Sequence, residues 1–143
     1  MSFDVFLIPS SASPTGAAYD QQMVAAAKAA GARDTTADGG DTPDGVSFEL
    51  YGGGDGVQFA LHSVSLGLCK VVFEVAKRTQ SYVVSTGDVS YAVQIKGMRG
   101  REPRLDMPVK TMATPEELCV PLRQGYGSWA GFATYAGKRV NPK

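Results

Sequence analysis

Val46-Ser-Phe-Glu-Leu-Tyr51, Gly52-Gly-Gly-Asp-Gly56 and Val57-Gln-Phe-Ala-Leu-His62 follow one another without a break. Apolar and polar residues alternate on both sides of the glycine run. That pattern specifies an antiparallel β-hairpin with one buried face. Working outward, Phe3–Ile8 alternates up to Pro9 and reads as a first strand. Ser81–Ser85 and Val89–Ile95 are rich in β-formers, with Thr86-Gly87-Asp88 as the turn between them, and Met107–Met112 reads as a further short strand.

Three stretches read as helix. Ala17–Ala30 is alanine-rich, with Thr15 as N-cap and Gly31 as the stop, and Tyr19, Met23, Ala26, Ala27 and Ala30 share one face. Leu66–Lys77 is too apolar for an exposed helix and too long for one strand, so it is expected to lie buried on the sheet after a cap in Ser63–Ser65. Lys70, Glu74, Lys77 and Arg78 mark its wet stripe, and Glu74 and Arg78 stand four residues apart as a favourable pair. Thr114-Pro115-Glu116-Glu117 has the marks of a helix start: a capping threonine, proline in the first turn and acids toward the positive end of the dipole. This helix is expected to end near Arg123, with Pro121 kinking or shortening it.

Hairpins dominate this order. The expectation is an α+β fold: a mainly antiparallel sheet of about five or six strands with two or three helices packed on one face. At 143 residues the chain is expected to be a single domain, 1–143, with a basic frayed tail from about residue 138. A chain of this length buries roughly 70% of its unfolded surface, enough for a core without staples. Arg33–Gly45 is polar throughout and reads as an exposed loop.

The two cysteines, Cys69 and Cys119, are too few for a disulfide framework. Each sits among apolar neighbours and reads as a small buried hydrophobe, with their pairing left open. Phe3–Pro9 lacks a basic leader and no apolar run approaches a membrane span, so a cytoplasmic protein with no membrane contact is expected.

Reactive chemistry finds little support. His62 is the only histidine, and it shares the strand phase of Gln58 and Ala60 rather than that of Phe59. No Gly-x-Ser-x-Gly elbow, Cys-x-x-Cys or His-Glu-x-x-His occurs. Asp34, Asp38, Asp41 and Asp44 lack the order and distal glutamate of a calcium loop. Gly52–Gly56 joins two strands instead of opening a helix, and Asp55 would repel phosphate. The chain is therefore expected not to be an enzyme, with no catalytic residues, no metal and no cofactor.

What remains is surface charge. Residues 1–93 hold 5 Lys/Arg and 10 Asp/Glu, whereas residues 94–143 hold 9 and 4. Such asymmetry can mark interaction surfaces. The candidate partner-binding residues are the acids Asp38, Asp41 and Asp44, the bases Arg99, Arg101 and Arg104, and the aromatics Tyr126 and Trp129 of the Gly125–Phe132 stretch. The aromatics read first as a core anchor packing the last helix onto the sheet, with a partner-facing patch as the alternative.

Met1-Ser-Phe-Asp-Val-Phe-Leu7, the strand ending Glu49-Leu50-Tyr51, the Leu68–Lys77 helix, Tyr82-Val83-Val84 and Thr114-Pro-Glu-Glu-Leu118 together resemble small uncharacterised bacterial single-domain proteins. Those proteins open with Met-Ser-Phe-Asp and carry a Glu-Leu-Tyr strand, and some of them are immunity-like. The resemblance spans roughly residues 1–125 and carries over no functional residue; Arg33–Gly45 and Gly97–Arg104 look like insertions particular to this chain. It implies a non-catalytic protein-binding module, in its most concrete form an immunity-like protein neutralising a bacterial toxin. Two alternatives stay open: a nucleic-acid or regulatory binder using the basic stretch 96–110, and a small-molecule binder or enzyme with a pocket near His62. Exposed hairpin edges also leave room for a homodimer.

Overall fold

The computed structural model describes residues 3–52, 56–85, 91–100 and 107–140, with 128–140 described as helix backbone only. Within these residues the chain runs β1 (Phe3–Pro9), α1 (Ala17–Ala29), β2 (Arg33–Thr36), β3 (Gly39–Asp41), β4 (Ser47–Gly52), β5 (Val57–Leu61), α2 (Leu66–Thr79), β6 (Ser81–Ser85), β7 (Ala92–Ile95), β8 (Val109–Met112) and α3 (Pro115–Val140). The strands form one eight-stranded sheet in the order β2-β3-β4-β5-β1-β6-β7-β8. Every pairing is antiparallel except β7 with β8. The fold class is the expected α+β; the strand count exceeds the expected five or six.

The glycine-linked hairpin is β4–β5, with Phe48 opposite Leu61 and Leu50 opposite Phe59. Its alternation behaves as read: Phe48, Leu50, Phe59 and Leu61 are buried, and Glu49 and Tyr51 are exposed. Burying each of these four side chains contributes about 2 kcal/mol. Phe3, Val5 and Leu7 of β1 continue the same apolar face, since Val5 stands opposite Phe59.

All three helices cover that face. Helix α2 is the middle one, packed on α1 at one side and α3 at the other, with β6 and β7 beneath it. This explains its composition. Only a helix enclosed on three sides buries Leu68, Cys69, Val71, Val72, Phe73, Val75 and Ala76 together. Helix α1 contributes Tyr19, Met23, Ala26 and Ala27, which share one face at helical spacing. The Tyr19 hydroxyl lies 2.7 Å from Ser81 Oγ, Ser81 lies 2.9 Å from Thr79 Oγ1, and Thr79 donates to the Val75 carbonyl at 2.6 Å. Burial pushes the Tyr19 phenol pKa up, against the opposing pull of these hydroxyls.

Several expectations need correction, among them the Thr15 cap of α1, whose N-cap position is taken by Gly16 without a side-chain bond. Arg33–Gly45 is not a plain loop: it contains β2 and β3, which extend the sheet beyond β4. These strands are polar, and backbone pairing rather than apolar burial holds them. Glycine matters at one point: Gly39 has φ +143°, and a Cβ there would fall 2.2 Å from the Phe48 carbonyl oxygen. Second, the strand expected at Val89–Ile95 is assigned over Ala92–Ile95, with 86–90 outside the described residues.

Third, α3 does not stop near Arg123. It begins as read, with the Thr114 hydroxyl accepting the Glu117 N–H at 3.2 Å, and then continues through Pro121. Leu118, Cys119 and Leu122 flank the proline and are buried, so packing holds the helix where propensity would end it. Its helical backbone is described as far as Val140, and 141–143 of the expected tail lie outside the described residues.

Finally, Cys69 and Cys119 are buried as expected, and the pairing left open above is a disulfide, with their Cα atoms 5.4 Å apart. The bridge clamps α3 to the first turns of α2. Among the described residues no helix is long and apolar enough to cross a membrane.

Candidate binding groove

Helix α2 ends in two cations, Lys77 and Arg78, both exposed and both favourable beside the partial negative charge of a helix C-terminus. Only Gln80 separates the helix from β6. It takes the left-handed conformation, with φ 55° and ψ 46°. Because β7 runs antiparallel to β6, the end of β7 returns to the place where β6 begins. Lys96, Gly97 and Arg99 follow Ile95 there. Gly97 turns the chain at φ +92°, Lys96 donates its N–H to the Met112 carbonyl at 2.8 Å, and Met98 donates to the Ile95 carbonyl at 3.2 Å.

The result is an open groove of about 480 Å³ lined by Glu74, Lys77, Arg78, Gln80, Lys96, Gly97 and Arg99. Among the described residues its lining carries four cations from two separate elements and one carboxylate, Glu74. Its floor is tied down. Gln80 Oε1 accepts the Arg99 N–H at 2.7 Å, Gln80 Nε2 donates to the Lys77 carbonyl at 2.9 Å, and the Gln80 carbonyl accepts the Ser13 hydroxyl at 2.9 Å and the Ser10 N–H at 3.3 Å.

The basic candidates are thus partly assembled. Arg99 lies in the groove, and Arg101 and Arg104 lie outside the described residues. Lys96 joins Arg99, while Lys110 stands 4.1 Å over the Tyr91 ring in a cation–π contact. Lys77 and Arg78, read from the sequence only as the wet stripe of a helix, are the additions. The signal that could have found them is the absence of a spacer between helix and strand, combined with a following hairpin.

The acidic candidates are each engaged in local structure. Asp44 accepts the Thr42 hydroxyl at 2.5 Å, the Ser65 hydroxyl at 2.9 Å and the Gly67 N–H at 2.9 Å, so it secures the N-terminal end of α2. The Thr42 hydroxyl, opposed by desolvation and helped by the Gly67 N–H and Ser65, holds the Asp44 carboxyl below its ordinary pKa. Asp41 accepts the Ser47 hydroxyl at 2.6 Å. Asp38 caps the β2–β3 turn, where its carbonyl accepts the Leu50 N–H at 3.0 Å.

Among the aromatics, Tyr126 serves as an anchor. Its ring meets Phe3 edge-on at 5.8 Å, and its hydroxyl donates to the His62 carbonyl at 2.8 Å. Trp129 lies in the part of α3 whose side chains are outside the description. His62 itself is exposed. The two thiols that a Cys-His mechanism would use are bonded to each other. Among the described residues no group of three or more His, Cys, Asp or Glu side chains could hold a metal ion. Comparison with known proteins finds no family model, no curated protein and no solved structure that matches this chain.

Proposed function

We propose that the chain is a non-catalytic protein-binding module whose docking surface is the basic groove at the C-terminal end of α2. The occupant is an acidic segment of a partner protein. The observation that carries this reading is the convergence of Lys77, Arg78, Lys96 and Arg99 on a floor fixed by Gln80. Such an arrangement steers an oppositely charged partner and sets its register without any reactive group. An immunity-like role against a bacterial toxin is the most concrete form of the proposal, and it rests on the resemblance described above.

A nucleic acid is the weaker occupant. Among the described residues that line the groove no aromatic side chain is present to stack on a base, and Glu74 would face phosphate. Fluorescence anisotropy with a labelled oligoglutamate peptide and a labelled oligothymidylate separates the two. The peptide should bind saturably, and the Lys77→Glu, Arg78→Glu double variant should weaken it by at least about tenfold. Peptide binding unchanged in that variant would remove the groove from the function. Preferential oligothymidylate binding, falling log-linearly with salt, would replace the acidic protein with a nucleic acid.

A further inference from the structure

We infer that Gln80 is the positioning residue of the groove, joining its two cationic walls into one rigid site; this rests on the acidic-segment reading above. Position 80 is where a helix normally ends in glycine, because the left-handed conformation crowds any Cβ. Glutamine stands there at φ 55° instead. Its side chain accounts for the choice. The amide donates to the last turn of α2 through Lys77 and accepts from the main chain of Arg99. Its own carbonyl receives both Ser10 and Ser13. One residue therefore holds α2, the turn after β7 and the 10–13 segment together.

The consequence is pre-organisation. Lys77 and Arg78 belong to the helix, whereas Lys96 and Arg99 belong to the turn after β7, and the Gln80 amide is a side-chain tie between the two. Lys96 stays seated through its N–H bond to the Met112 carbonyl, but without the Gln80 bridge Arg99 is held less firmly relative to the α2 cations. A ligand must then fix their separation on binding, which lowers affinity without removing any charge. A residue that only ended the helix would be better as glycine, which is strain-free in this conformation.

Gln80→Gly separates the two roles, because it relieves the backbone while deleting the bridge. The variant should melt within about 4 °C of the natural chain. It should bind the oligoglutamate peptide roughly fivefold more weakly, and hydrogen exchange at the Arg99 amide should accelerate selectively. Gln80→Asn, which tolerates the left-handed backbone but is too short to span to Arg99, should behave alike. Peptide affinity within twofold of the natural chain for both variants, or unchanged exchange at Arg99, would overturn the assignment. If the natural chain itself fails to bind the peptide, the acidic-segment reading falls. Exchange at Arg99 then decides the bridge alone: acceleration retains it and no change rejects it.

Discussion

The two ends of α2, about 21 Å apart along a 14-residue helix, use charge in opposite ways. At the N-terminal end a carboxylate is consumed by structure: Asp44 accepts three hydrogen bonds, and the Cys69–Cys119 bridge lies alongside, with Cys119 Sγ 3.8 Å from the Ser65 carbonyl oxygen. At the C-terminal end, among the described residues, four cations gather around one carboxylate and line an open groove. Net charge along a sequence therefore says little about charge offered to a partner. An acid beside a helix start is taken up by unpaired N–H groups, whereas bases brought together by chain topology stay available.

The comparison breaks most visibly if the N-terminal end proves dispensable. Replacing Cys69 and Cys119 with alanine opens a cross-link spanning 50 residues. The loss should be about 4 kcal/mol by the chain-entropy argument, with a fall in melting temperature of about 10–15 °C. A thiol assay on unfolded, unreduced protein should find no free sulfhydryl, and two free thiols there would contradict the bridge.

A smaller effect is expected at Asp44. Asp44→Ala should cost about 1 kcal/mol, as for loss of a helix cap, and leave peptide binding in the groove unchanged. The pH dependence carries a definite sign. The folded-state pKa of Asp44 lies below its unfolded value of about 3.9. Its contribution is therefore complete above that unfolded value and is lost as pH falls through the depressed folded one. Acid titration of stability should show a shallower loss in Asp44→Ala than in the natural chain. Equal acid limbs would show that the carboxylate does not hold the helix.

The smallest change is expected at His62, which belongs to neither end. Its side chain is exposed and its structural bond is made by the backbone carbonyl. His62→Ala should alter stability by less than about 0.5 kcal/mol and leave peptide affinity alone. Loss of binding in this variant would move the functional surface to the β5–α2 connection.

Much of the fold was readable because one face of each element is apolar. Phe48, Leu50, Phe59 and Leu61 announce the hairpin, and the Leu68–Ala76 run announces a helix enclosed on several sides. The parts that were not readable are held by other forces. Strands β2 and β3 depend on backbone pairing and on a glycine pressed against Phe48, which leaves no hydrophobic period to detect. The length of α3 depends on Leu118 and Leu122 outweighing Pro121, a tertiary effect. The disulfide joins positions 50 apart. Of the candidate site, Arg99 was found by composition, but Lys77 and Arg78 join it only through the order of the strands.

The hydroxyl chain from Tyr19 through Ser81 to Thr79 answers a problem that alanine creates. Where Ala26 and Ala27 form the inner face of α1 the contact has little relief, and dispersion there penalises a sliding displacement only weakly. Directional bonds between buried oxygens tolerate no such shift. The phenol thus indexes α1 along α2 and β6, giving the contact a single seating.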